Sequence, residues 1–158
     1  MRKLAFILSV MLISGACSEQ FEPKPFTYSQ LLTGENVKTW RLAAFQYRQN
    51  GKAVDSFVLP SDDCVFDDLY LFYANNEKRF EIDEGARVCT PGDPQTLLVD
   101  SWGLVNATAT LEMVIPFLVP VKLPYILQKL EDDEFEVEIY FNEDTESYRF
   151  IFELVDSE

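Results

Sequence analysis

Polar and apolar residues alternate along most of this chain, and the repeat is clearest near its C-terminus. Glu134–Phe141 places four apolar side chains on one face and three glutamates on the other, which is the period-two pattern of a half-buried strand. The pattern returns at 148–154, after a polar turn at 142–146. These two segments predict a C-terminal β-hairpin.

Similar short runs, bounded by turn residues, cover the chain from residue 37 onward. The further predicted strands are 39–48, 56–59, 69–73, 80–83, 97–104, 110–115 and 125–130. One helical turn is predicted before them at 28–34, with Ser29 as its cap and Gly34 as its end. No run suits the crossover helix of a parallel sheet. The pattern predicts an all-β antiparallel barrel or sandwich.

The N-terminus has the composition of an export signal. Two basic residues precede an apolar run at 4–13, which is too short to anchor stably across a bilayer, and three small residues then lead to Cys17. This order predicts a lipoprotein signal peptide over residues 1–16, with Cys17 as the lipidated N-terminus of the mature chain. The alternative is an ordinary signal peptide that contains a cysteine.

Residues 17–30 are predicted to tether the lipid to the folded part, because Pro23 and Pro25 favour an extended backbone. The remainder, 31–158, suits one domain. Two of the 13 basic residues and none of the 27 acidic ones lie in the signal. The mature chain thus has eleven basic and 27 acidic residues, a net charge of −16. This charge argues against nucleic acid as a partner.

Two cysteines remain after Cys17 is assigned to lipid. Cys64 and Cys89 are predicted to form a disulfide, with free thiols as the alternative, because exported chains fold in an oxidising compartment. A metal site on this pair is disfavoured, since the chain has no histidine. The acidic group at 62–68 could offer oxygens to calcium but does not match an EF-hand loop. Capping of turns is the favoured interpretation, and no metal or cofactor is predicted.

Catalysis has no candidate residues in this sequence. Without histidine, a serine or cysteine nucleophile lacks its usual base, and the Gly-x-Ser-x-Gly motif does not occur. Pairs of carboxylates are inevitable among 27 acidic residues and do not by themselves indicate glycoside hydrolysis. We therefore expect a protein that is not an enzyme.

The segment 115–127 is apolar and carries three prolines four residues apart. Prolines at this spacing argue against a continuous helix, a transmembrane span and a central strand. If exposed, the segment would form an apolar binding patch; if folded inward, it would plug the open end of a barrel. Together with two tryptophans, which either line or fill a cavity, it supplies the candidate ligand-binding residues. They are Trp40, Trp102, Phe117, Leu118, Val119 and Val121.

Several motifs, in their order along the chain, resemble the lipocalin-like domains of Bacteroidetes lipoproteins. They are Leu31-Leu32-Thr33-Gly34, Thr39-Trp40-Arg41-Leu42, Asp63-Cys64-Val65-Phe66-Asp67-Asp68, Tyr70-Leu71-Phe72, Asp83-Glu84-Gly85, Cys89-Thr90-Pro91-Gly92-Asp93-Pro94-Gln95, Trp102 and Tyr125-Ile126-Leu127-Gln128-Lys129-Leu130. The resemblance covers about residues 31–155. It implies a single up-and-down barrel of about eight strands, wide enough inside for one small ligand.

The resemblance and the predicted lipid anchor together lead to a functional expectation. We expect an outer-membrane lipoprotein, attached to the membrane through Cys17 and facing the periplasm or the cell surface. It would bind a small apolar ligand or a component of the cell envelope. The alternative is a structural or protein-interaction module with a filled barrel and no ligand.

Overall fold

The structure is a computed structural model that describes residues 25–54, 64–107, 109–142 and 145–157. The predicted signal peptide, the predicted lipidation site Cys17 and the predicted strand at 56–59 lie outside these ranges. So do Asp62 and Asp63 of the acidic group.

One helix and ten strands occur in the described ranges. Helix α1 spans Pro25–Thr33, and the strands are β1 (Val37–Gln49), β2 (Lys52–Ala53), β3 (Leu69–Tyr73), β4 (Arg79–Asp83), β5 (Thr96–Ser101), β6 (Gly103–Val105), β7 (Thr110–Ile115), β8 (Val119–Leu130), β9 (Glu134–Phe141) and β10 (Glu146–Ser157). The strands form one antiparallel sheet in the order β5-β4-β3-β1-β10-β9-β8-β7-β6, with β2 beside β1. This sheet is a nearly closed barrel. The predicted fold class is confirmed, with ten strands where about eight were expected.

The first and last strands form the longest ladder of the barrel. β1 pairs with β10 from Lys38 opposite Ser157 to Gln49 opposite Glu146. The register shifts between Leu42 and Ala44, and a bulge of this kind bends a strand and re-aims the side chains beyond it. The predicted C-terminal hairpin of β9 and β10 is also present.

Helix α1 closes one end of the barrel, which we call the α1 end. Nζ of Lys38, a buried residue of β1, donates to the backbone oxygens of Leu31 (2.9 Å) and Asp132 (2.8 Å). A positive charge at the last carbonyls of a helix is electrostatically favourable. The helix begins at Pro25, three residues before the predicted turn, and so includes the end of the predicted tether.

Closure of the barrel depends on one strand that changes partners. The sequence predicted a single strand over 97–104, but the chain divides there at Trp102: β5 pairs with β4, and β6 pairs with β7. Beside this division, Nζ of Lys122 on β8 lies 2.9 Å from Oδ1 of Asp100 and 2.7 Å from Oγ of Ser101. Side chains thus join β8 to β5 where the described residues form no ladder between them.

The prediction that the prolines exclude 115–127 from an internal strand was wrong in part. Residues 116–118 form a turn, but β8 already begins at Val119 and contains Pro120 and Pro124. In the described residues, β9 pairs with β8 only from Ile126 onward, so 119–125 pair with β7 alone. A proline lacks the backbone N–H, and a one-sided stretch of strand tolerates that loss.

Candidate functional site

The two tryptophans among the predicted ligand-binding residues are core residues at the α1 end. Trp40 is fully buried, with its ring edge-on to Phe135 at 4.9 Å between centroids, and its Nε1 donates to the backbone oxygen of Leu32. Trp102 is 4% exposed, and its Nε1 donates to the backbone oxygen of Tyr73 at 3.1 Å. Trp40 therefore fills the interior, whereas Trp102 also lines a cavity of about 240 Å³ between α1 and the turn after β3.

Aromatic packing continues from these tryptophans through the middle of the barrel. Phe135 stacks on Phe152 at 4.5 Å, and Tyr70 meets Phe152 edge-on at 5.1 Å. Further along, Tyr125 meets Phe150 edge-on at 5.8 Å. All of these rings are at most 1% exposed, so side chains occupy this part of the interior.

A second set of aromatic rings lies at the far end, opposite α1, and these rings are only half-buried. We call it the mouth cluster; its members are Phe45, Tyr47, Phe117, Phe141 and Tyr148. Between ring centroids, Phe45 lies 5.1 Å from Tyr148 and 6.1 Å from Phe117, and Phe141 lies 4.7 Å from Tyr148. They lie on the second half of β1, in the turn after β7, at the end of β9 and near the start of β10.

A polar group borders the mouth cluster. Burial raises the pKa of the Tyr47 hydroxyl, and a hydrogen bond with Glu146 raises this pKa further. The amide Nε2 of Gln49 also lies 3.3 Å from Oε1 of Glu146. The mouth cluster thus combines apolar ring surface with a carboxylate and a hydroxyl at its rim, which is the composition of a binding site for a mainly apolar molecule.

The structure divides the six predicted ligand-binding residues among different places. Trp40 and Trp102 lie at the α1 end, whereas Phe117 belongs to the mouth cluster and Leu118 packs beside it against the core. Val119 is half-buried, and Val121 is 56% exposed. The six residues therefore do not form one pocket.

Four members of the mouth cluster are absent from the predicted ligand-binding residues. They are Phe45, Tyr47, Phe141 and Tyr148. Each occupies an apolar position in a predicted strand or at its end, so alternation indicated that it faces inward. Only the register of β1 against β10 shows that these positions meet.

An ion-pair network lies on the outer face of β1, β10 and β9. Glu138 is 1% exposed; its Oε1 accepts from Ser147 Oγ at 2.5 Å, and its Oε2 accepts from Arg149 Nη2 at 2.8 Å. Nε of Arg48 lies 3.5 Å from Oε1 of Glu138. Burial acts to raise the pKa of Glu138, but the bonds from Ser147 and Arg149 and the two positive charges outweigh it and lower this pKa. The network fastens three strands together.

The predicted disulfide between Cys64 and Cys89 is present, with 2.00 Å between the sulfur atoms. Within the described ranges, no helix has the length and apolar character needed to cross a membrane. Nor do three cysteine or acidic side chains in those ranges stand grouped as ligands of one metal ion.

No protein-family model matches this chain, and neither does any curated protein sequence. The candidate site therefore rests on its own geometry.

Proposed function

We propose that this is an exported, lipid-anchored protein of lipocalin-like type that holds a small apolar ligand or an envelope component at the mouth cluster. One observation carries the proposal: five aromatic rings at the far end form a continuous chain of ring contacts yet are only half-buried. Rings deeper in the barrel are fully buried, so a ligand would sit at the mouth and not in a deep cavity. The mouth cluster offers apolar ring faces with the Glu146 carboxylate and the Tyr47 hydroxyl at its rim. This composition supports the binding of a ligand rather than the cleavage of a bond.

Two neighbouring residues of β9 offer a matched test of binding. Phe141 belongs to the mouth cluster, whereas Tyr140 points to the outer face and is 39% exposed. In a titration with an environment-sensitive apolar dye, Phe141→Ser should weaken binding about tenfold, because a buried phenylalanine contributes about 1.5–3 kcal/mol. Tyr140→Ser should bind dye as the wild type does. Equal losses in both variants would contradict a site at the mouth cluster.

The proposed anchor rests on the sequence before Cys17, where an apolar run and three small residues precede the cysteine. A bacterial lipoprotein would carry its acyl chains on this residue and lie at the outer membrane, facing the periplasm or the cell surface. Cells labelled with an alkyne fatty acid should mark the wild type but not Cys17→Ala. Protease added to intact cells distinguishes the two facings, since only a surface protein is degraded.

The second candidate is a structural or protein-interaction module without a ligand. The tightly filled interior favours it, as do exposed apolar residues on the outside of β8, where Val121 is 56% and Ile126 is 45% exposed. Mass spectrometry of an organic extract of the protein, purified from its own cells, separates the candidates. A bound apolar molecule supports the first; an empty extract and no dye binding support the second.

A further inference from the structure

A cavity of about 240 Å³ lies at the α1 end of the barrel, between the last turn of α1 and the turn that joins β3 to β4. We call it the α1 cavity. The filled middle of the barrel separates it from the mouth cluster. Its lining includes side-chain amides, one charge of each sign and one indole ring, from Gln30, Glu35, Asn75, Asn76, Lys78 and Trp102.

Hydrogen bonds fix the walls of the α1 cavity. Gly34 follows α1 with a φ of 64°, a conformation that favours glycine, and donates its backbone N–H to the backbone oxygen of Gln30 at 2.8 Å. The backbone N–H of Trp102 donates to the oxygen of Lys78 at 2.8 Å, and its indole N–H donates to Tyr73. The cavity is therefore pre-formed, as ligand sites usually are.

Lys78 has an unfavourable backbone conformation. Its φ of 51° lies in the left-handed region, which residues other than glycine, asparagine and aspartate seldom adopt. The other described non-glycine residues with positive φ are three asparagines and one alanine. Conformational outliers of this kind cluster at functional sites. Because asparagine would suit this position better, the lysine side chain is itself a candidate for a function.

The ammonium group of Lys78 lies beside the indole of Trp102, with 5.3 Å between Nζ and the ring centroid. Within the described residues, no carboxylate forms an ion pair with this Nζ, although the chain has 27 acidic and only 13 basic residues. An ammonium group has three N–H donors. Lys78 therefore keeps donors for another partner at the cavity.

The remaining lining offers both donors and acceptors. Oδ1 of Asn75 accepts from the backbone N–H of Arg79 at 2.9 Å, so its amide nitrogen remains as a donor. Gln30 and Asn76 add two further amides, and Glu35 adds a carboxylate. The lining thus has one positive and one negative side chain among neutral amides. It lacks the excess of positive charge that would select an anion.

We propose that the α1 cavity binds a neutral saccharide unit, whose hydroxyl groups bond to Lys78, Gln30 and Asn76. Hydroxyl groups both donate and accept, so they match a lining of amides, an ammonium and a carboxylate. The indole of Trp102 offers apolar surface to the carbon-bound hydrogens of the sugar. The volume is smaller than the roughly 300–1,000 Å³ of sites for drug-sized ligands and suits one sugar ring.

The test follows the two indole N–H signals of the purified, disulfide-bonded protein by NMR. Glucose, galactose, mannose and N-acetylglucosamine are added in turn, and a Trp102→Phe protein identifies the signals. At least one sugar should shift the Trp102 signal until it saturates. The Trp40 signal should stay in place, because Trp40 is fully buried and does not line the cavity.

Two variants and a control locate the binding. Lys78→Asn suits the left-handed backbone and should melt no lower than the wild type. It should nevertheless weaken sugar binding about tenfold, because a charged donor is lost. Gln30→Ala, at an exposed position of α1, favours the helix and should also weaken binding. Lys52→Gln, an exposed site on β2, should bind sugar as the wild type does.

Three results would overturn the proposal. The first is the absence of a saturable Trp102 shift with any of the four sugars. The second is equal affinity of Lys78→Asn and the wild type, which would place binding outside the α1 cavity. The third is tighter binding of glucuronate or a sugar phosphate than of glucose, which would replace a neutral ligand by an anion. Dye binding at the mouth cluster should be unchanged in Lys78→Asn, since this inference goes beyond the proposed function and does not depend on it.

Discussion

Trp40 donates a buried hydrogen bond to the backbone oxygen of Leu32, with 2.9 Å between Nε1 and the oxygen. Both residues are fully buried. The bond joins β1 to the last turn of α1, where a helix has carbonyl groups without partners of its own. One side chain thus contributes to the core and also holds α1 against the α1 end of the barrel.

Replacing Trp40 should therefore remove packing and a hydrogen bond together. We expect Trp40→Phe to lower the free energy of unfolding by about 2–4 kcal/mol, because it leaves a small cavity and an unsatisfied buried carbonyl. Urea denaturation without reductant measures this. Val121→Ala, at an exposed site, should stay within about 0.5 kcal/mol of the wild type. A Trp40→Phe protein as stable as the wild type would show that the bond to Leu32 is dispensable.

The turn after β7 offers a test of the plug interpretation. Phe117 contacts Phe45 and Phe150, and Leu118 packs against the core. Phe117→Asp and Leu118→Asp should each lower the free energy of unfolding by about 1–3 kcal/mol, since each places a carboxylate against apolar neighbours at a half-buried site. Val121→Asp, three residues further on, should have little effect. Thermal melting of the three variants measures these effects. Equal melting temperatures of all three variants would contradict the packing of this turn against the core.

Much of the fold could be predicted because strands with one buried face have a clear period. β3 and β7 have the bounds that alternation predicted. The sequence predicts that β8 begins at residue 125, because proline interrupts strand hydrogen bonding, yet β8 begins at Val119. Which side of a strand lacks a neighbour is a property of the whole sheet, and no local pattern contains it.

The candidate site was less predictable, for a related reason. The meeting of Phe45 with Tyr148 depends on a register that shifts between Leu42 and Ala44. Alternation also assigned Glu138 to a solvent-facing side, and it does lie on the outer face. It is nevertheless buried, because Arg48 and Arg149 reach it from neighbouring strands.

The outer ion-pair network should control stability in acid. The pKa of Glu138 is lowered in the fold, so its ionised form stabilises the protein above the pKa of the unfolded chain, and this stabilisation is lost as pH falls through the folded pKa. At neutral pH, Glu138→Gln should cost about 1–3 kcal/mol, because Arg149 and Arg48 lose their partner. The variant should then change less than the wild type between about pH 5 and pH 3. Glu131→Gln, with a 59% exposed side chain, is the control and should behave as the wild type.

Asp68 should have the opposite pH dependence. Its pKa is raised to about 6 from an ordinary value of 3.8, mainly by burial, so the folded protein binds a proton more readily than the unfolded chain does. The contribution of this carboxyl group to stability should rise as pH falls from about 6 to about 4, and Asp68→Asn should remove most of that rise. The variant should also be more stable than the wild type at neutral pH, by about 1–2 kcal/mol. Denaturation curves at several pH values test this, and equal slopes for both proteins would contradict it.

The disulfide should contribute strongly to stability. It closes a loop with a sequence separation of 25 residues, for which the chain-entropy relation gives about 3.5 kcal/mol. Reductant, or replacement of Cys64 and Cys89 by serine, should lower the melting temperature accordingly. In a soluble form that lacks Cys17, intact-mass measurement after alkylation without reductant should find neither remaining thiol modified; two modified thiols would contradict the bond.

The change of partners at Trp102 has a mechanical consequence. On the β5 side of that residue, the wall of the barrel has a line without ladder pairing among the described residues, which we call the slit; the Lys122–Asp100 ion pair spans it. Widening the slit breaks this half-exposed ion pair and the hydrogen bond between Lys122 and Ser101. Widening the barrel between β1 and β10 instead breaks the longest ladder among the described residues. We therefore expect the wall of the barrel to open more readily along this line than between β1 and β10.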